Sequence, residues 1–175
     1  MTTILIVMGV AGAGKTTLAR ALAARLGWTF LDADDLHPAA NVEKMRAGAP
    51  LDDADREPWL AAVARWIDAR LAASEAAVVA CSALKRRYRQ VLTEGRPSAR
   101  IVYLEGSPDL VARRMAERTD HYFPSKLIAS QFEALEPPTP EERAIVVDMA
   151  PAVDAQVDRV LAAIAAPRTT REEVR

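Results

Sequence analysis

Residues 9–16 constrain this chain more than any other stretch. They read Gly9-Val10-Ala11-Gly12-Ala13-Gly14-Lys15-Thr16 and fit G-x-x-x-x-G-K-[ST] at every fixed position. A short apolar, β-branched run (Thr2 to Met8) precedes them, and a helical pattern of Leu18, Ala19, Leu22, Ala23 and Leu26 follows at once. Strand, glycine loop and helix, in that order, make the motif a phosphate cradle rather than a chance string. The glycines open backbone conformations closed to other residues and let the chain approach an anion closely. Loop amides and the positive end of the helix then converge on phosphate oxygens. Lys15 adds a mobile positive charge for the β- and γ-phosphates, and Thr16 a hydroxyl for Mg²⁺. The expected nucleotide-binding set is Gly9, Val10, Ala11, Gly12, Ala13, Gly14, Lys15, Thr16 and Thr17. Its expected ligand is a nucleoside triphosphate.

The remainder of the chain alternates in the same manner. Further strand-like runs fall at 28–31, 76–81, 101–104 and 144–147, and helical spacing at 15–26, 41–47, 85–92, 109–118, 125–135 and 153–165. A longer helix, capped by Asp53 or Asp55 with Pro58 in its first turn, carries Trp59, Leu60, Val63, Ile67 and Leu71 on one face. Five strands alternating with helices predict an α/β fold, a five-stranded parallel sheet with helices on both faces. Residues 1–166 read as one domain, with a polar tail at 167–175 that frays.

Bulk properties narrow the partners. The formal net charge of −1 lacks the basic footprint of a nucleic-acid binder. The apolar start has no basic residues before it, and Lys15 ends it far short of a membrane span. The single Cys81 forms no intrachain disulfide and reads as a small buried hydrophobe. A cytoplasmic protein with neither nucleic-acid nor membrane partner is expected.

The chemistry beyond the loop rests on three groups. Asp32 and Asp34 lie just past the second strand, at the strand end where doubly wound sheets collect ligands. If that strand neighbours the first, Asp34 can face the γ-phosphate and accept a proton from an incoming hydroxyl. Asp32, on the same side by strand alternation, can hold a Mg²⁺-bound water. No acidic residue follows the strand at 76–81, the usual place for a metal carboxylate in this class, which leaves Asp32 as the metal's partner. Among the cations Lys44, Arg46, Arg56, Lys85, Arg86 and Arg87, Lys85 falls at the same sheet edge as the loop and suits an anionic or polyhydroxylated substrate; Arg56 is the second choice. Finally, Arg113, Arg114 and Arg118 run into an irregular 119–124, the pattern of a lid at about 118–125. Arg118, nearest the break, is placed to neutralise transition-state charge. His37 and His121 are too distant in sequence to suggest a metal pair.

These residues together resemble the P-loop gluconate kinases, or gluconokinases. The resemblance runs from Ile4 to about Ile164. Its marks are Met8-Gly9-Val10 leading into the loop, Phe30-Leu31-Asp32-Ala33-Asp34-Asp35-Leu36-His37-Pro38, and Asn41-Val42-Glu43-Lys44-Met45. Asp55-Arg56-Glu57-Pro58-Trp59-Leu60, Cys81-Ser82-Ala83-Leu84-Lys85 and Ser130-Gln131-Phe132-Glu133-Ala134-Leu135-Glu136-Pro137 extend it. The resemblance implies ATP-dependent phosphorylation of D-gluconate at its 6-hydroxyl, a fold like the shikimate and nucleoside monophosphate kinases, strand order 2-3-1-4-5, and a homodimer. By position it implies that residues 9–16 bind ATP and that Asp34 is the base. It likewise implies that His37, Arg56 and Lys85 face the sugar acid and that Arg118 belongs to the lid. The lid departs from the family's frequent Gly-His-Phe, having Asp120-His121-Tyr122 instead. Two other readings stay open: a kinase of the same fold acting on shikimate or another small acceptor, and a non-catalytic nucleotide-sensing module.

Overall fold

The structure, a computed structural model, describes residues 2–117 and 125–166. The fully buried run Ile4–Met8 forms β1, and the loop that follows delivers the chain into α1, Lys15–Leu26. Gly27 stops α1 in the left-handed region (φ 68°), as a helix C-terminus favours. Strand β2, Thr29–Asp32, passes into a 3₁₀ turn, Ala33–Leu36, and Pro38 then starts α2, Ala39–Arg46. The long α3, Asp53–Ala72, leads to β3, Ala77–Ala80, then α4, Arg86–Thr93, and β4, Ala99–Glu105. α5, Pro108–Glu117, and α6, Ser125–Ala134, precede β5, Ile145–Asp148, and the closing α7, Val153–Ala165.

All strand pairs are parallel and the order is β2-β3-β1-β4-β5, as the family resemblance implies. Alternation along β1 divides the core into two layers. Leu5 and Val7 pack with Leu18, Leu22, Val157 and Val160 under α1 and α7. Ile4, Ile6 and Met8 face the other way, onto Trp59, Val63, Ile67 and Leu92 of α3 and α4. Burial on both faces explains why the inner strands are continuous apolar runs, whereas the edge strand β5 alternates buried and exposed residues. Among the described residues no helix is long and apolar enough to cross a membrane.

One local expectation needs correction. The cap of α3 is neither Asp53 nor Asp55 but Asp52, whose extended backbone lets its carboxylate accept from the Asp55 amide; the Asp55 carboxylate accepts in turn from the Asp52 amide. In the observed order β3 lies between β2 and β1, so the adjacency on which Asp34 facing the loop is conditional is not met. The expected lid and Arg118, save residue 125, fall outside the described residues, as does the tail at 167–175.

Candidate functional site

The loop is shaped by its glycines where the chain can use nothing else. Gly12 has φ +80°, and a Cβ there would lie 2.5 Å from Met115 Sδ of α5. Gly14, at φ +99°, occupies the N-cap of α1, so the first helical amides open toward the loop without a side-chain cap competing for them. The Gly9 amide donates to Ser82 O at 3.3 Å, which pins the loop to the end of β3. Lys15 folds over this surface and donates from Nζ to Val10 O at 3.0 Å. Desolvation holds its pKa below the ordinary lysine value, while Asp34 and Asp32 pull the other way and favour the charged form.

The two aspartates reach the loop although β3 intervenes. Asp32, Ala80 and Val7 share one row across the sheet, and the residue between the two site strands has only a methyl side chain. Across this low ground Thr16 Oγ1 donates to Asp32 Oδ2 at 3.0 Å. The other oxygen, Oδ1, accepts from the Asp34 amide at 3.2 Å and caps the 3₁₀ turn that carries Asp34. Asp32 thus caps the turn with one oxygen and meets Thr16 with the other. A hydroxyl and a carboxylate oxygen 3.0 Å apart are a donor set suited to a hard divalent cation such as Mg²⁺. Among the described residues no cluster of three or more acidic, His or Cys side chains surrounds it, so such an ion would depend on phosphate oxygens as well.

Asp34 stands at the mouth of the site. Desolvation and the nearby Asp32 charge raise its pKa above the usual carboxylate value, against His37 and Lys15. The side chain is 79% exposed, so solvent screens these influences. Behind it the His37 ring is only 4% exposed, with Nε2 3.7 Å from Asp34 Oδ1. It stacks on Trp59 of α3, centroids 4.4 Å apart and planes at 12°. Trp59 is fixed in turn by donation from Nε1 to Ala33 O at 2.7 Å.

Lys85 and Arg56 are brought together at one ring. Lys85 Nζ lies 5.7 Å and the Arg56 guanidinium 5.8 Å from the centroid of Tyr88. Lys85 is not free, since Nζ donates to both carboxylate oxygens of Asp53, at 3.1 and 3.4 Å. Arg87 and the Tyr88 hydroxyl also engage Asp53. The turn that presents Lys85 is held from within by Arg89, 1% exposed. Arg89 donates to Ala83 O and Leu84 O at 3.2 and 3.0 Å and pairs with both oxygens of Glu142. Of the remaining basic candidates, Lys44 pairs with Asp55, and Arg114 donates to the carbonyls of Met149 and Ala150, which ties α5 to the turn after β5.

Cys81, beside this site, is buried, and desolvation pushes its thiol up to about 12, so it stays a neutral thiol. Several neighbours were not legible as site residues: Asp53, Tyr88, Asn41 and Gln131. Gln131 of α6 accepts from the Ala11 amide of the loop at 3.1 Å, joining the helix after residues 118–124 to the phosphate cradle. Its signal was slight, a lone amide on an amphipathic helix.

Comparison with known proteins agrees with this layout. A family model described as an AAA domain matches residues 4–138. Gluconokinase from Gluconobacter oxydans is 48% identical over 82% of this chain and 80% of its own length. The crystal structure of a gluconokinase from Sinorhizobium meliloti superposes with a TM-score of 0.84 at 45% identity, covering 93% of this chain and 91% of that one. An unliganded sugar kinase from a Janibacter species gives 0.87 at 41% identity, covering 94% and 95%. With the loop, the aspartate pair and the turn carrying Lys85 all lying inside the matched stretch, the chain belongs to the gluconokinase family of P-loop kinases.

Proposed function

We propose that this protein transfers the γ-phosphoryl group of ATP to the 6-hydroxyl of D-gluconate, giving 6-phosphogluconate. The observation that carries the reading is the Thr16–Asp32 hydrogen bond, which sets a carboxylate-bearing turn against the phosphate loop with Asp34 at its mouth. Membership of the gluconokinase family supports the choice of acceptor.

Phosphoryl transfer passes through a loose transition state, so positioning and charge neutralisation carry most of the catalysis. Lys15 and the loop amides hold the triphosphate oxygens. Asp34 orients the acceptor hydroxyl and receives its proton as the new P–O bond forms and ADP departs. Lys85 and Arg56 meet the carboxylate and hydroxyls of the sugar acid, with Lys85 exchanging Asp53 for the substrate. His37 lies behind Asp34 on the acceptor side. Arg118 supplies a further cation from the lid at about 118–125. Mg²⁺, held by Thr16 directly and by Asp32 through water, would neutralise phosphate charge when bound. A single domain over 1–166, a homodimer and a cytoplasmic location complete this reading; sedimentation of a monomer at working concentration would remove the dimer.

The test is ADP release from MgATP with a panel of sugar acids, shikimate and nucleoside monophosphates. Turnover with gluconate well above every other acceptor is expected. Preference for shikimate or a nucleotide would overturn the acceptor, and ATP binding without acceptor-dependent turnover would indicate a sensor.

A further inference from the structure

Asn41, on α2, is 5% exposed and belongs to no part of the mechanism above. Its side chain donates from Nδ2 to Asp55 O at 2.8 Å. A backbone carbonyl only accepts, so this bond settles which end of the amide is nitrogen. The same Nδ2 lies 3.4 Å from His37 Nδ1. An NH₂ group has no acceptor to offer, so Nδ1 must be the accepting nitrogen of the ring. In a neutral imidazole the proton then sits on Nε2, the atom 3.7 Å from Asp34 Oδ1. The stack on Trp59 holds the ring in this plane.

We infer that Asn41 is a positioning residue, which forces neutral His37 to present a hydrogen-bond donor rather than a lone pair to Asp34. The consequence is chemical. An N–H directed at Oδ1 stabilises the Asp34 carboxylate and engages that oxygen, leaving Oδ2 for the acceptor hydroxyl. The opposite tautomer would set a nitrogen lone pair against a carboxylate and leave the base without an orienting partner. At 3.7 Å the contact is slightly longer than a hydrogen bond and closes with a small rotation of Asp34, whose side chain is exposed. The charged groups facing His37 are Asp34 from the 3₁₀ turn and Arg56 from α3; α2 contributes the uncharged Asn41. Desolvation, together with Arg56 and against Asp34, lowers the His37 pKa, which keeps the ring neutral at pH 7 and makes its tautomer the variable that matters.

This inference rests on Asp34 as the base, and its test separates the two. The chain has two histidines, so ¹⁵N-histidine labelling gives two ring systems, assigned with a His37→Gln variant. In the unmodified protein the His37 spectrum is expected to show a proton on Nε2 and none on Nδ1; the reverse would overturn the inference without any mutation. Asn41→Ala should let the Nδ1–H form appear and lower kcat about tenfold, with KM for ATP unchanged. Asn41→Asp, which accepts from Nδ1–H, should raise the His37 pKa and shift the acid limb of the kcat profile. A folded Asn41→Ala enzyme with the unmodified tautomer, pH profile and kcat would also overturn it. Full activity in Asp34→Asn would instead sink the base reading and leave the tautomer result intact.

Discussion

Residues 9–17 offer a ligand mainly backbone, whereas the proposed acceptor side is assembled from side chains of the 3₁₀ turn, α2, α3 and the turn before α4. The first arrangement is local: one strand, three glycines and one helix start suffice. The second exists only after the sheet has ordered its strands, because Asp34, Trp59 and Lys85 are separated by long stretches of chain. Backbone recognition suits a phosphate common to all substrates of this fold. Side-chain recognition suits the substrate that differs. Variants should therefore divide by which ligand they lose.

The largest effect is expected on the donor side. Lys15→Ala should reduce kcat/KM for ATP on the order of 10⁴-fold or more, combining lost transition-state charge with a lost charge-assisted hydrogen bond. Calorimetry should show weaker ATP binding while gluconate binding persists. Unchanged ATP affinity would mean that the lysine does not serve the triphosphate.

On the acceptor side, Asp34→Asn should lower kcat about 10²- to 10⁴-fold and leave ATP binding largely intact. The pH dependence carries a sign that can be checked. Only ionised Asp34 accepts a proton, so activity falls as pH drops through its pKa, and desolvation beside Asp32 places that fall above the ordinary value of about 3.9. Stability should move oppositely. A carboxyl with a raised native pKa favours the fold fully below its unfolded-state value and loses that contribution as pH rises through the native one. Asp34→Asn should therefore gain in melting temperature relative to the unmodified protein across that window and hold the gain at neutral pH. A loss at pH 7 would contradict the raised pKa.

The same contrast explains what the sequence made legible. The loop, α1 from Lys15 to Leu26, and α7 from Val153 to Ala165 follow from contiguous signals, namely glycine positions, a 3.6-residue period and a Gly27 stop. Asp32 and Asp34 are legible by their position at the end of a strand, but strand position alone does not tell whether β2 adjoins β1. They reach the loop because Ala80 leaves the intervening strand low. Asp53 reads as a cap because three aspartates cluster at the start of α3, at 52, 53 and 55, and nothing local tells which one turns inward. Its actual partners, Lys85, Arg87 and Tyr88, lie across α4. Asn41 was invisible for a similar reason: an Asn in a short helix reads as surface until α3 brings the Asp55 carbonyl to it.

Gln131 tests whether the division between the two sides is complete. It leaves α6, beyond the expected lid, and caps the Ala11 amide of the loop at 3.1 Å. Gln131→Ala removes one neutral hydrogen bond from a partly buried amide that water can still reach, a loss of roughly 0.5–1.5 kcal/mol, or about two- to thirteenfold in affinity. If donor recognition is confined to residues 9–17, this loss should appear in KM for ATP and in ADP binding equally, with KM for gluconate unchanged. If α6 instead couples closure over one ligand to the other, Gln131→Ala should raise KM for gluconate as well, and saturating ATP should no longer tighten gluconate binding. Steady-state matrices of both substrates separate the outcomes, because a local loss moves one axis and a coupled loss moves both.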